Sequence, residues 1–143
     1  MKKLLSVLAV VALFAAVSFA QDGPKVKWDQ TEINYGDIQQ DSDPLRVFTF
    51  KNVGNAPLLI SNAKGSCGCT VPKYPTEAIA PGATGKIEVR YDTKRVGPFQ
   101  KTVTITTNEA EATHTLTIKG KVNAKPTEES VPASQGGFNN GGK

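Results

Sequence analysis

Two segments in the second half of the chain alternate between apolar and polar residues. In residues 102–107 valine and isoleucine alternate with threonine, and in residues 115–122 leucine, isoleucine and valine alternate with threonine and lysine. A period of two places the apolar side chains on one face of a β-strand and the polar side chains on the other. Because a short polar turn, residues 108–111, joins the segments, they predict an antiparallel hairpin with one buried face.

Five shorter runs of the same kind precede this hairpin. They cover residues 26–28, 33–35, 45–51, 57–62 and 85–91. Turn sequences bound them, including YGD at 35–37, NVGN at 52–55, PG at 81–82 and VGP at 96–98. No amphipathic helix competes for these residues, so the pattern predicts an all-β fold, an immunoglobulin-like antiparallel β-sandwich of about seven strands. We expect one domain over residues 21–123, with a β-barrel as the alternative.

The first 20 residues have the organisation of a secretory signal peptide. Lys2 and Lys3 precede a nearly unbroken apolar run, and the small residues Ser18 and Ala20 stand at the cleavage positions. The run is short for a membrane-spanning helix and no second one follows, so we expect no membrane span in the mature chain. Residues 1–20 therefore predict export, to a periplasm or to the extracellular space.

The C-terminal segment, residues 124–143, contains few apolar side chains among its Pro, Ser, Gly and Asn residues. Such a segment buries too little apolar surface to offset the entropy of ordering it, so we predict a disordered tail. Without residues 1–20 the net charge falls from +4 to +2, and the lysines are dispersed along the sequence. Nucleic-acid binding, which needs a dense basic stripe, is not predicted.

Groups for catalysis are sparse in this sequence. A serine or cysteine nucleophile needs a base, commonly histidine, and the chain has one histidine, His114. His114 has the parity of Leu116 and Ile118, so we interpret it as a structural residue at the rim of the core, with metal ligation as the alternative. The acidic residues within 29–43 lack the spacing of a calcium loop or of a paired acid and base. We predict no enzymatic activity.

The two cysteines, Cys67 and Cys69, flank a single glycine in the segment GSCGCT. They have a structural interpretation, either as small buried side chains or, in an oxidising compartment, as a disulfide whose very small loop makes it easier to reduce than an ordinary structural bridge. They are also candidate metal ligands together with His114, since two thiolates suit copper or zinc, although a structural zinc site has four ligands. Thiol redox exchange and pairing with a second chain are the other interpretations.

Several sequence blocks resemble a known bacterial family. The blocks are FKNVGNAPLLI at 50–60, SCGCT at 66–70, PGATGKIEVRYDT at 81–93, GPFQK at 97–101 and TN at 107–108. In this order they look like the bacterial secreted domain of unknown function 1573 family (DUF 1573). The resemblance implies an immunoglobulin-like fold related in shape to major sperm protein and Hydin-type domains, and it implies no established activity.

Two functional hypotheses remain open at this point. The first is a binding or structural module of the cell envelope, whose partner is an envelope protein or an extracellular polymer held by an exposed strand edge. The second is a metal-binding protein, for copper or zinc, or a thiol-redox protein that uses Cys67 and Cys69. No other cofactor is predicted. The state of the two cysteines separates these hypotheses.

Overall fold

The computed structural model describes residues 23–127. The predicted signal peptide, residues 1–20, lies outside the described residues. Of the predicted tail, residues 124–143, only residues 124–127 are described, and they are exposed and follow the last strand. No helix among the described residues is long and apolar enough to cross a membrane.

Eight strands form two sheets that pack face to face. The strands are β1 (Val26–Trp28), β2 (Glu32–Gln39), β3 (Leu45–Asn52), β4 (Ile60–Gly65), β5 (Thr70–Lys73), β6 (Thr84–Tyr91), β7 (Gly97–Thr107) and β8 (Thr113–Asn123). The first sheet has the order β1-β3-β6-β5 and the second has the order β2-β8-β7-β4. This arrangement confirms the all-β, immunoglobulin-like sandwich predicted from the alternating pattern.

The strand count and several strand boundaries differ from the prediction. The additional strand, β5, is only four residues long and contains Pro72, so its sequence carries no clear alternation. The predicted turns at Gly36 and Gly97 lie inside β2 and at the start of β7. Gly36 has φ +70° and lies where the register of β2 shifts between Asn34 and Asp37, so this glycine forms a β-bulge and does not end the strand.

One strand pair departs from the predicted antiparallel arrangement. The β7–β8 hairpin is antiparallel, with Thr104 opposite Thr115, as the sequence pattern predicts. In contrast, β2 pairs with β8 in parallel, with Ile33 opposite Ile118. Alternation within single strands fixes which side chains face inward but not the direction of the neighbouring strand, so the sequence pattern could not reveal this pairing.

The core lies between the inner faces of the two sheets. Its fully buried side chains come from both sheets and include Phe48, Phe50, Ile87, Val89, Val103, Ile105, Leu116, Ile118 and Val122. These residues occupy the alternating positions expected of strands with one buried face. The alternating segments 102–107 and 115–122 supply five of these nine residues.

Asn52, at the end of β3, is the largest polar side chain that is completely buried. Its Nδ2 donates hydrogen bonds to the carbonyls of Ala56 and Ile79, at 2.8 and 2.9 Å, and its Oδ1 accepts one from the Gly54 amide at 3.0 Å. The side chain therefore holds the loop after β3 against the loop before β6. A buried amide is stable here because its donors and its acceptor have partners.

The turn before β6, which the sequence places at Pro81 and Gly82, has the features of a type II turn. Gly82 has φ +80°, and the Ala83 amide donates a hydrogen bond of 3.0 Å to the Ala80 carbonyl. A positive φ at the third residue is the requirement that makes glycine the preferred residue in this turn type.

Candidate functional site

The two cysteines lie where the chain crosses from one sheet to the other. β4 belongs to the second sheet and β5 to the first, and residues 66–69 connect them. Cys67 and Cys69 are joined by a disulfide, with their Cα atoms 5.2 Å apart. Of the four interpretations open from the sequence, the structure thus represents the internal disulfide, in which neither sulfur is a free thiolate.

Backbone hydrogen bonds anchor both ends of this crossover loop. The Ser66 amide donates to the Thr102 carbonyl at 2.8 Å, and the Thr102 amide donates to Ser66 Oγ at 3.1 Å. On the other side, the Asp92 amide donates to the Cys69 carbonyl at 2.9 Å. The loop is therefore attached to β7 and to the end of β6 by contacts that do not depend on the sulfur atoms.

Thr70 directs its hydroxyl at the disulfide. Its Oγ1 lies 3.6 Å from Cys67 Sγ and 3.8 Å from Cys69 Sγ, and the residue is 2% exposed. Cys69 is also buried, at 9% exposed, whereas Cys67 is only partly buried. Because a buried hydroxyl requires a hydrogen-bond partner, the two sulfurs are the natural acceptors for the Thr70 proton.

His114 lies in a different environment. Its Nε2 is 2.7 Å from Glu109 Oε2, and its ring centroid is 6.0 Å from that of Trp28. His114 is opposite Ile105 in the β7–β8 hairpin, whereas the cysteine loop is attached to β7 at Thr102. The structure therefore does not bring His114 to the two cysteines.

Glu109 is a residue whose role the sequence pattern did not indicate, because it lies in the polar turn between β7 and β8. Its side chain is 8% exposed. Its carboxylate accepts hydrogen bonds from the Val26 amide at 2.6 Å and from the Thr107 hydroxyl at 2.9 Å, besides its contact with His114. Glu109 therefore connects β1 of the first sheet to the hairpin of the second sheet, and the geometry favours a structural role for its partner His114.

No metal centre is assembled within residues 23–127. No three His, Cys, Asp or Glu side chains of this region come together in a way that could hold a metal ion. Cys67 and Cys69 share a disulfide, and His114 shares its Nε2 with Glu109. The copper or zinc site predicted from Cys67, Cys69 and His114 would require reduction of the disulfide and ligands from elsewhere.

The outer face of the first sheet is strongly basic. Its charged residues, which alternate with inward-facing ones along β1, β3, β5 and β6, are Lys27, Lys51, Lys73, Lys86, Arg90 and Glu88. Strand register places Lys27 directly opposite Lys51, and Arg90 between Leu45 and Val71. The five cations are dispersed in the sequence, so only the order of the strands brings them together. We call this surface the basic face.

Apolar side chains interrupt the basic face. Val71 is 58% exposed and Val47 is 37% exposed, and both point outward, since the adjacent Thr70 and Phe48 are buried on the inner side of the sheet. None of the five cations forms an ion pair with another residue of the 23–127 region. Next to the face, a groove of about 390 Å³ opens between β6 and the chain after β5, with Lys73, Tyr74 and Lys86 among its lining residues.

An aromatic cluster closes the core near the loop between β2 and β3. Tyr91 and Phe99 are stacked with ring centroids 3.8 Å apart, and Tyr35 meets Phe99 edge-on at 5.3 Å. Burial raises the pKa of Tyr35 to about 12, although the nearby Arg46 guanidinium opposes this shift. Burial likewise raises the pKa of Tyr91, against the opposing effect of Arg95. The fold therefore favours the protonated form of both phenols.

These features define an immunoglobulin-like β-sandwich domain with a disulfide-bonded crossover loop. The chain belongs to the family described as Protein of unknown function (DUF1573), whose model matches residues 26–122. This match confirms the family resemblance seen in the sequence blocks. No curated protein matches the sequence.

Several solved structures share the fold at low sequence identity. A protein of unknown function from Porphyromonas gingivalis W83 has a TM-score of 0.62 at 15% identity, over 76% of this chain and 50% of that one. The Vibrio cholerae VesB protease has a TM-score of 0.53 at 16% identity, over 68% of this chain and 31% of that one.

A human domain extends this likeness beyond bacteria. The PapD-like domain 7 of human CEP192 has a TM-score of 0.53 at 10% identity, over 73% of this chain and 87% of that one. The chain thus spans half the length of the P. gingivalis protein and less than a third of VesB, but most of the CEP192 domain. At these identities the likeness shows the immunoglobulin-like, PapD-like fold alone.

Proposed function

We propose that this protein is an exported interaction module of the bacterial cell envelope, which binds an acidic surface of a partner protein with its basic face. The observation that carries the proposal is the charge of that face, with five cations against the single carboxylate of Glu88. Gathering unpaired cations on one surface is unfavourable for the isolated protein. An acidic partner relieves this repulsion and is attracted over several ångströms of solution.

The apolar residues within the basic face favour a protein partner over a purely polyanionic polymer. Val47 and Val71 expose side chains that gain by contact with other apolar groups. Protein interfaces combine such an apolar centre with a charged rim. The groove beside Tyr74 adds a concave surface at the border of the face.

The edge of β5 serves this purpose less well, although the sequence suggested a strand edge as the binding surface. β5 is an edge strand of the first sheet. The Thr70 amide donates to the Cys67 carbonyl within the loop, so the backbone N–H of Thr70 points away from β6. Backbone groups alternate in direction along a strand, so the backbone nitrogen of Pro72, two residues further on, also points away from β6. Pro72 has no N–H to offer an added strand, which protects this edge from pairing.

Export is supported by two independent features. Residues 1–20 have the basic, apolar and small-residue order of a signal peptide, and a Cys67–Cys69 disulfide is suited to an oxidising compartment. Fractionation of the native bacterium tests this part, since a cytoplasmic protein that retains Lys2 and Lys3 would contradict it.

We also infer that the module is not an enzyme. The single histidine is directed at Glu109 and packs near Trp28, which supports a role in the fold. Among the similar structures VesB is a protease, but the match covers 31% of its chain and carries no activity to this protein.

Charge reversal on the two outer faces tests the proposed binding surface. In the test variant, K86E and R90E reverse two charges on the basic face, and in the control variant, K64E and K121E make the same change in net charge on exposed positions of the second sheet. We expect saturable, salt-sensitive capture of an envelope protein by the wild type and the control, with at least a tenfold loss in the test variant. Equal binding by the two variants would reject the basic face as the site.

A polyanion distinguishes specific binding from general attraction. Heparin, measured in parallel with the envelope extract, is expected to bind more weakly and to depend more steeply on salt, because it cannot use Val47 and Val71. Replacement of both valines by serine should then weaken the binding of the protein partner and leave the binding of heparin unchanged. Heparin binding of the same strength as the protein partner would favour a polymer ligand.

A further inference from the structure

We propose that Cys67 and Cys69 form a thiol–disulfide exchange site that accepts electrons from a dithiol of another protein, with Thr70 as the residue that stabilises the departing sulfur. The structural basis is the buried Thr70 hydroxyl, which lies 3.6 Å and 3.8 Å from the two sulfur atoms. A purely structural bridge at this place gains nothing from threonine, since valine has the same shape and suits a position that is 2% exposed. This proposal is independent of the basic face.

Exposure selects the sulfur that is attacked. Cys69 is 9% exposed, whereas Cys67 is partly buried and is followed by the exposed Gly68. A Cβ atom at Gly68 would meet no other atom within 4 Å, so the loop is open on this side. We therefore assign Cys67 Sγ as the attacked atom and Cys69 Sγ as the leaving group.

The exchange consists of two balanced steps. A thiolate of the partner attacks Cys67 Sγ, the Cys67–Cys69 bond breaks, and its electron pair passes to Cys69 Sγ, which accepts the hydrogen bond from the Thr70 hydroxyl. The second thiolate of the partner then attacks the partner sulfur of the mixed disulfide and releases Cys67. The partner dithiol is oxidised to a disulfide, and Cys67 and Cys69 each gain a proton from water.

The structure is suited to hold the loop in both oxidation states. Ser66 and Thr102 exchange two hydrogen bonds, and Asp92 binds the Cys69 carbonyl, so the loop ends stay in place when the sulfur bond opens. The disulfide closes a loop between residues only two apart in sequence, and so small a loop adds little chain-entropy stabilisation. Reduction is therefore expected to leave the fold intact.

The rate of reduction by dithiothreitol, a small dithiol, tests the role of Thr70. We expect the disulfide of the wild-type protein to be reduced while the protein is folded. T70V should be reduced about tenfold more slowly, because valine cannot donate a hydrogen bond to the Cys69 thiolate that forms when the disulfide breaks. T70S keeps the hydroxyl and should restore the rate. Circular dichroism verifies that each variant is folded. Equal rates for folded T70V and wild type, or reduction only after denaturation, would overturn the proposal.

Single-cysteine variants test which sulfur is attacked. C69S and C67S each leave one thiol, and both are treated with oxidised glutathione, with mixed-disulfide formation followed by intact mass. We expect the Cys67 thiol of C69S to react at least tenfold faster than the Cys69 thiol of C67S, because the latter is buried. Equal rates, or faster reaction of Cys69, would refute the assignment of Cys67 as the attacked atom.

Discussion

The phenol of Tyr35 donates a hydrogen bond of 2.9 Å to the carbonyl of Pro44. The Arg46 guanidinium lies 4.0 Å above the same ring. Tyr35 is therefore held through its hydroxyl to the loop between β2 and β3, and through its ring face to the start of β3. A deprotonated phenol could not donate this hydrogen bond. The contact therefore belongs to the neutral tyrosine, which the raised pKa of about 12 preserves.

This raised pKa predicts a loss of stability in alkali. Between pH 10 and 12 the unfolded phenol loses its proton while the folded one keeps it, so the free energy of unfolding falls as the pH rises through this window. Tyr35 contributes roughly 2 to 3 kcal/mol to the free energy of unfolding. This contribution is complete below pH 10 and is lost above pH 12. Urea titrations of wild type and Y35F should show a shallower alkaline decline in Y35F, and parallel declines would contradict the prediction.

Replacement of Asn52 should be among the most destabilising polar substitutions. N52A removes the hydrogen bonds that this side chain donates to the carbonyls of Ala56 and Ile79, and we expect a loss of about 2 to 4 kcal/mol in the free energy of unfolding. The exposed Asn62 provides the control, since N62A should change this free energy by less than about 0.5 kcal/mol. Denaturant unfolding measures both, and similar losses would show that the Asn52 contacts add little.

The disulfide should contribute little to stability. A loop closed between Cys67 and Cys69 corresponds to roughly 1.5 kcal/mol in the chain-entropy model, less than half of what a long loop provides. The double variant C67S/C69S should therefore fold, with a modest shift of its urea midpoint. Failure to fold, or a loss near 5 kcal/mol, would make the bridge a structural necessity instead of an exchange site.

The buried carboxylate of Glu109 should stabilise the contact between β1 and the β7–β8 hairpin. E109Q keeps the size of the side chain but weakens its hydrogen bonds with Val26 and Thr107, and the expected loss is about 1.5 to 3 kcal/mol. E111Q, two residues further along the same turn and exposed, is the matched control. Thermal unfolding should separate the two variants, and coincident curves would argue against the network.

Pro72 is expected to keep the protein from pairing through β5. P72V restores an N–H on the free side of this edge strand, and edge strands with unpaired groups associate readily. Sedimentation velocity should then detect dimers or larger species that the wild type lacks. P126V changes an exposed proline beyond the last strand, and association by this control to the same extent would remove the edge from the explanation.

The sequence predicts the sandwich well because a strand that buries one face has alternating apolar and polar residues. Val103 and Ile105 alternate with threonines, and all the fully buried residues of β7 and β8 follow that alternation. β5 shows no such alternation, because its length and its proline hide the period. Gly36 misled the prediction, since a bulge and a turn use the same backbone conformation.

The candidate sites depend on contacts that sequence order does not encode. The cysteine pair could be found from its spacing, but the Thr70 hydroxyl became relevant only through its 2% exposure and its distance from the sulfurs. Lys27 and Lys86 are far apart in sequence and share a face through strand order. In the sequence Glu109 is one residue of a polar turn, and only the folded structure shows that its carboxylate accepts a hydrogen bond from the Val26 amide.

The parallel pairing of β2 with β8 also determines when the domain can fold. Glu32 meets Thr117, so about 85 residues must be joined into a loop before this pair gains any contact energy, which slows folding. During synthesis β2 has no β8 to pair with until β8, the last strand of the described region, has left the ribosome. β2 therefore stays unpaired until late in synthesis, and in that interval this strand has to be kept from aggregating.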